Sequence, residues 1–306
     1  MTKATRTAYG EALAELGETY DFLVLDGDLS KATQTCLFAR KYPERFFDMG
    51  IAEQDLMGTA AGMASCGKTV FASTFAMFAA GRAYEQIRNA IAYSHLNVKI
   101  GATHGGVLIG EDGASHQCIE DLALMRAIPG MTVIVPCDEF TVKSAVEAAI
   151  LHEGPVYLRF GRTSSPAVHR PDVKFEIGKG LVVKDGTDAA ILAIGDLVYE
   201  ALQAAQILER EGIAAAVVDM STVKPVDRGL ICHYAVRTGK ILTAEDHNVI
   251  GGLGSAVSEV VAELGQGQVR RIGVQDRFGT SGKRDDLKKR YGLDAETIAQ
   301  AIRDWR

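Results

Sequence analysis

The chain has 306 residues, 33 Lys and Arg against 39 Asp and Glu for a net charge of −6, and a hydrophobic content of 47%. Such a length carries about two domains, and the balance of apolar and charged residues is that of an ordinary soluble protein. The acidic balance argues against a nucleic-acid binder built on a basic stripe, and no window approaches the ~18 uninterrupted apolar residues of a membrane span.

In chain order, Thr5 opens a helix on which Tyr9, Leu13 and Leu16 recur at helical spacing, ended by Gly17. Phe22-Leu-Val-Leu-Asp26 reads as a short buried strand of a parallel sheet. It runs into the polar loop Gly27-Asp28-Leu29-Ser30, at the carboxyl end where ligands sit in open α/β sheets. A helix from Thr33 to Lys41, a strand from Phe46 to Met49 and a helix from Glu53 to Ser65 follow. That helix carries Gly58, Ala60, Ala61, Gly62 and Ala64, small residues that admit a second backbone closely, which predicts tight packing between subunits. Strands are expected at Val70–Ala72 and Val98–Thr103. Between them lie Thr74-Phe75-Ala76-Met77-Phe78 and a helix to about His95.

The stretch from His104 to Gln117 breaks the rhythm. It is glycine-rich and polar, with His104, His116 and the acidic pair Glu111-Asp112, and a loop of this length inside a compact domain is usually functional. Helix Ile119–Arg126, strand Met131–Val135, helix Phe140–His152 and strand Val156–Phe160 resume the alternation, so residues 1–168 read as a parallel α/β domain. Residues 169–180 read as a linker. Residues 181–306 form a second, smaller α/β domain. Its strands are expected at Ala189–Ile194, Ala214–Met220, Lys240–Ala244 and Val269–Val274. Its helices are expected at Glu200–Glu211, Gly254–Leu264 and from about Asp285 and Asp294, with a turn at Lys224-Pro225.

Three loops thus stand at strand carboxyl ends: Asp26 to Ser30, Ser73 to Phe78 and His104 to His116, with Glu53 at a helix start on the same side. Each residue has a plainer reading. An acid in a helix's first turn is favoured by the dipole, two phenylalanines are often a core pair, and Glu245-Asp246-His247 reads as a strand-end cluster supporting its own domain. The chain has no G-x-S-x-G elbow, no H-E-x-x-H helix, no Walker A segment and no EF-hand loop. His104 and His116 lack a recognisable metal spacing, and no metal site is expected on this chain. The five cysteines are scattered with no CxxC pair, as free thiols of a reducing compartment would be. The polar start is not followed by the apolar run of a secretory leader, so a cytoplasmic location is expected.

In order and spacing, Ile51-Ala-Glu53-Gln, Ser73-Thr-Phe75-Ala-Met-Phe78, Ala102-Thr-His104 and Gly110-Glu-Asp112-Gly-Ala-Ser-His116-Gln resemble the pyrimidine-binding domain of transketolases. Phe160-Gly-Arg162, Ser221-Thr-Val-Lys-Pro225 and Ala244-Glu-Asp-His-Asn-Val-Ile-Gly-Gly-Leu-Gly254 extend the resemblance over nearly the whole chain. It implies a pyrimidine-binding domain of a thiamine diphosphate enzyme followed by a transketolase C-terminal domain. It also implies transfer of a two-carbon ketol unit between a ketose and an aldose. The family's Gly-Asp-Gly segment, which holds the diphosphate through Mg²⁺, has no counterpart here; Asp26-Gly-Asp28 has the wrong order. The chain therefore resembles the C-terminal subunit of a split transketolase. The resemblance implies that Mg²⁺ is bound by a separate N-terminal subunit and that this chain dimerises within a heterotetramer.

By the same match, Glu53 would bond the pyrimidine nitrogen, in a dry setting that Ile51 and Met57 suit, and Phe75 and Phe78 would line the ring. Asp28 would lie near the cofactor. His104 and His116 would bind substrate and aid proton transfer, Asp112 would take a substrate hydroxyl, and Arg162, with Arg6 as a second contact, would meet a sugar phosphate. The sequence departs from the family at Gly105-Gly106 (Asp-Ser), Cys118 (Pro), Gly81 (an aromatic) and Ala32 (Ser). These changes fall mainly on the sugar-facing half and leave room for a branched or sulfonated ketose. The alternatives are the β subunit of a 2-oxo acid dehydrogenase, which lacks the Gly-Glu-Asp-Gly-x-x-His-Gln segment, and deoxyxylulose phosphate synthase, whose chain is much longer. A third is a structural or regulatory partner that kept the fold without activity.

Overall fold

The computed structural model describes residues 2–305. The first half runs β1 (Thr2–Ala4), α1 (Thr5–Leu16), β2 (Leu23–Asp26), α2 (Ser30–Thr33), α3 (Cys36–Lys41), β3 (Phe46–Asp48), α4 (Glu53–Ser65), β4 (Val70–Phe75), β5 (Val98–Thr103), α5 (Asp121–Ala127), β6 (Thr132–Ile134), α6 (Glu139–Leu151), β7 (Val156–Arg159) and β8 (Ser164–Pro166). The second runs β9 (Leu181–Lys184), β10 (Ala189–Ala193), α7 (Leu197–Glu209), β11 (Ala215–Asp219), β12 (Thr222–Lys224), α8 (Arg228–Thr238), β13 (Lys240–Asn248), α9 (Leu253–Leu264), β14 (Gln268–Val274), α10 (Arg284–Tyr291) and α11 (Ala295–Arg303).

Every residue of β4 and β5 is buried, as expected for strands covered on both faces of a parallel sheet. They form the middle of a seven-stranded sheet ordered β12-β6-β7-β5-β4-β2-β3. On one face, Tyr9 and Leu13 of α1 pack with Val142 and Val146 of α6. On the other, Leu56 and Ala60 of α4 pack with Ile87 and Ile91. Each large aliphatic side chain buried in this way contributes about 1.5–3 kcal/mol. The second sheet, β14-β13-β10-β11-β9, is parallel except at β9. Among the described residues no helix is long and apolar enough to cross a membrane.

Four local features differ from the pattern in the sequence. The helix expected from Thr33 to Lys41 is two short helices with Gln34 in left-handed backbone (φ 69°), because the Thr33 and Thr35 hydroxyls both donate to Asp26 Oδ2, at 2.7 and 2.8 Å. The helical stretch after Phe75 widens into π-helical segments at Phe78–Arg82 and Gln86–Ala92. The turn expected at Lys224-Pro225 follows a strand, β12, that crosses back from the second domain to pair antiparallel with β6 of the first sheet. Finally, β13 runs to Asn248 rather than ending at Ala244. Its pairing with β14 becomes irregular there, so Glu245, Asp246 and His247 sit in the final, buried part of the strand.

The segment between the sheets is held by Asp138. One carboxylate oxygen caps α6 through the Phe140 and Thr141 N–H groups at 3.1 and 2.9 Å, and the other accepts from Val168 and His169 at 2.9 and 2.7 Å. That carboxylate also belongs to the Cys137–Asp138–His169 group, whose ligand-type atoms lie close enough together to suit a metal. Its oxygens are occupied by backbone donors, so the group reads as a structural tie between the halves.

Candidate active site

Strand register builds the core of the site. Phe75 of β4 is paired with Thr103 of β5, so the residues that leave the two strand ends meet. The Phe75 and His104 rings stack at 3.9 Å. Phe78, three residues on and about one helical turn away, stacks on Phe75 with centroids 5.7 Å apart and planes 19° apart. His116 arrives from the far end of the glycine-rich loop and meets Phe78 edge-on at 5.3 Å and Phe75 at 6.2 Å.

Glu53 is the first residue of α4, where a carboxylate complements the helix dipole, and is 1% exposed. Its Oε2 accepts from Arg82 Nη1 at 2.8 Å, and the Arg82 guanidinium lies 4.7 Å over the Phe78 ring. Arg82 thus joins the carboxylate to the aromatic stack. It was not foreseen as a site residue, although its place four residues after Phe78 puts it on the same helical face. Met57 is buried as expected, whereas Ile51 is 77% exposed. Ile51 lies in the irregular turn before α4 and does not wall the carboxylate within this chain.

His104 adopts left-handed backbone (φ 61°), an unfavourable state for a side chain that tends to appear at functional sites. Its Nδ1 lies 2.9 Å from the Thr103 hydroxyl. Burial, reinforced by the positive charges of Arg6 and Arg162 and by His116, pushes its pKa down to about 3. The ring is therefore neutral at physiological pH and able both to donate and to accept a hydrogen bond.

Two guanidinium groups flank this set. Arg6 donates to the Arg162 carbonyl at 3.1 Å and to the Ala32 carbonyl at 2.7 Å. Arg162 donates to the Ile109 carbonyl at 2.6 Å and to Glu111 at 3.2 Å, and lies 3.6 Å from Asp112 Oδ1. Asp112 therefore stands beside Arg162, on the rim. Asp28 is not brought to the ring cluster. It is exposed in left-handed backbone (φ 60°), with its N–H bonded to Asp48 at 3.1 Å. The buried acid of that loop is Asp26, which takes Leu29 N–H and two threonine hydroxyls and whose pKa burial raises to about 6.

Arg159, the last residue of β7, is buried behind the loop and bonded to Asp121 at 2.9 Å. The donor set of buried carboxylate, stacked aromatics and neutral imidazole fits a flat, nitrogen-bearing heterocycle such as the pyrimidine of thiamine diphosphate.

Comparison with known proteins identifies the family of the two domains. The family model for the pyrimidine binding domain of transketolase matches residues 1–167, and that for the transketolase C-terminal domain matches residues 178–298. A protein of Methanocaldococcus jannaschii, provisionally named a transketolase C-terminal section, is 51% identical over 98% of this chain and 95% of its own length. The 6-deoxy-6-sulfo-D-fructose transketolase subunit SqwH of Clostridium sp. is 39% identical over 98% of this chain and 93% of its own. Among solved structures, a split gene transketolase seen as an inactive β4 tetramer superimposes with a TM-score of 0.92 at 55% identity, covering 98% of this chain and 97% of that one.

Proposed function

The chain belongs to the transketolase family, and from that premise we propose that it is the C-terminal subunit of a split, thiamine-diphosphate-dependent transketolase. It would move a two-carbon ketol unit from a ketose to an aldose. The observation that carries this reading is the buried Glu53 carboxylate, joined through Arg82 to the Phe75–Phe78–His104 stack.

Thiamine diphosphate, when bound, supplies the electron sink that lets the bond beside a ketose carbonyl break. Glu53 would hold a proton at the pyrimidine nitrogen. Arg82 engages only one of its oxygens, and the half-exposed Arg82 side chain can turn to water. Phe75 and Phe78 would line one side of the heterocycle and exclude water. His104, neutral by burial, would exchange a hydrogen bond with a substrate oxygen as charge moves there, with His116 as its companion. Asp112 would accept from a sugar hydroxyl. Arg162 and Arg6 would meet a tetrahedral anion at the far end of the sugar. A phosphate suits them, and so does the sulfonate in the sugar named for the Clostridium relative.

The diphosphate and Mg²⁺ would be held by an N-terminal subunit carrying Gly-Asp-Gly. The inactive β4 assembly of the solved relative supports a chain that associates with itself yet needs a partner to turn over. So does the open surface around Gly58 and Gly62, where an added Cβ would meet nothing within 4 Å, next to the exposed Ile51.

The test is to supply the reconstituted complex with a C6 ketose phosphate, its 6-sulfonated analogue or pyruvate. Ketol transfer from either ketose to an aldose is expected. Decarboxylation of pyruvate without ketol transfer would instead identify a 2-oxo acid enzyme.

A further inference from the structure

We propose that Asp246, in the second domain, is a positioning residue for the substrate-facing loop of the first: its carboxylate fixes residues 104–117 in the shape that presents His104 and His116. The proposal rests on the reading of those histidines given above.

The loop leaves β5 through His104, Gly105 and Gly106. Gly105 N–H bonds the Phe160 carbonyl at 3.2 Å and Gly106 N–H the Cys118 carbonyl at 2.8 Å, which closes the loop's base. The next two N–H groups open the short 3₁₀ turn Val107–Ile109 and have no partner within it. Both are taken by Asp246: Val107 N–H by Oδ1 at 2.8 Å and Leu108 N–H by Oδ2 at 3.0 Å. A side chain from the far domain thus caps a turn 138 to 139 residues away in sequence.

The backbone is shaped to receive it. Gly106 has φ 86°, and a Cβ there would lie 2.0 Å from Asp246 Oδ2, so the carboxylate occupies the space a side chain would need. Asp246 is itself anchored. Arg159 Nη2 donates to its carbonyl at 2.9 Å and to the Cys118 carbonyl at 3.1 Å, while Arg159 Nε holds Asp121. One guanidinium therefore fixes both the capping strand and the exit of the loop. Burial pushes the Asp246 carboxyl up to about 6 against the opposing pull of Arg159 and the two N–H groups, which leaves it ionised at neutral pH.

A second tie crosses at the other end. Gln117 Nε2 donates to the Val107 and Gly110 carbonyls at 3.0 and 3.2 Å and to the Thr280 carbonyl of the second domain at 2.9 Å. His104 lies three residues before the first tie and His116 one residue before the second. With Gly105, Gly106, Gly110 and Gly113 in the loop, its free backbone would sample many states, and the ties remove that freedom before substrate arrives. Glu245, one residue before Asp246, provides a control. Its carboxylate caps α9 through Leu253 and Gly254 N–H at 2.7 and 2.8 Å rather than the loop.

The experiment compares wild type, Asp246→Asn, Gln117→Met and Glu245→Gln in the complex with the N-terminal subunit. Asn keeps the shape but turns a donor toward one of the two N–H groups. Asp246→Asn should lower kcat/KM for the ketose roughly 10- to 100-fold, mostly through KM, the scale of a misplacement near 1 Å. Half-saturation by thiamine diphosphate should stay within about twofold, and Gln117→Met should show the same split more weakly. Glu245→Gln should leave the ketose KM unchanged. Hydrogen exchange of the peptide spanning 104–117 gives a readout independent of turnover: it should quicken in Asp246→Asn while exchange in β4 does not. Unchanged exchange together with an unchanged ketose KM overturns the proposal, as does a parallel loss of ketose and cofactor affinity. A wild-type complex that moves no ketol group refutes the functional reading instead, and the exchange result then decides the positioning role alone.

Discussion

Replacing Glu53 by Gln separates a catalytic carboxylate from a structural one. The side chain keeps its volume and can still hydrogen-bond, but it cannot hold and return a proton. Its ion pair with Arg82 at 2.8 Å is lost. The Arg82 side chain is 50% exposed, so water replaces the partner, and pairs of that kind are worth about 0.2–1 kcal/mol. Removing a charge that is only 1% exposed works in the opposite direction. Stability should therefore change by no more than about 1 kcal/mol, a Tm shift of about 2–4 °C for a chain of this class. The rate should fall about 10²- to 10⁴-fold, the usual contribution of a positioned proton-transfer group. The assay is ketol transfer by the complex at saturating cofactor, alongside thermal unfolding of the same samples. A kcat within about threefold of wild type at unchanged Tm would refute the role given to Glu53. A loss of activity that tracks a large fall in Tm would refute the claim that it is not structural.

Two further substitutions probe the sugar end and the second domain. Arg162→Lys keeps the charge but loses the planar fork that reaches the Ile109 carbonyl and Glu111. The KM for an anionic ketose should rise about tenfold, equivalent to one charged hydrogen bond of about 1.5 kcal/mol, with cofactor affinity unchanged; an equal rise for a neutral ketose would contradict the anion contact. Glu245 is fully buried, and burial lifts its pKa from 4.5 to about 7 despite the two N–H bonds. A carboxyl raised in the folded state contributes its full stability below the unfolded value near 4.5 and loses it as the pH rises through about 7. The loss is about 3 kcal/mol at 1.36 kcal/mol per unit. Gln cannot ionise, so the Tm of Glu245→Gln relative to wild type should climb across that window, and a flat difference would show that the fold does not raise the Glu245 pKa.

The parts of the site legible in the sequence are those carried by local chemistry at fixed spacing. Phe75, Phe78 and His104 stand at the ends of two apolar runs, and the register of β4 and β5 brings them together. Glu53 was readable as a helix-start acid, and its burial is consistent with both the dipole and the cofactor reading. Long-range pairings were not legible. Nothing in Thr222-Val-Lys signals a strand that returns to the first sheet. The charged run Glu245-Asp-His reads as a strand-end cluster serving its own domain, because only the fold supplies the Arg159 donor and the Val107 and Leu108 N–H groups of the first domain that its Asp246 engages. The break at Gln34 follows from threonines bonding an aspartate seven and nine residues earlier, a competition of side chain with backbone that helical spacing does not reveal. Ile51 differs for a related reason: an apolar residue beside a carboxylate need not be buried within its own chain.

This chain is expected to hold one half of a cofactor site and a second polypeptide the other. The most direct measurement adds thiamine diphosphate and Mg²⁺ to the purified chain, to a purified N-terminal subunit carrying Gly-Asp-Gly, and to the two together, and follows ketol transfer in each. No transfer is expected from either polypeptide alone, and turnover should rise on mixing to a plateau at equal amounts. Full turnover by this chain without the second polypeptide would contradict this expectation.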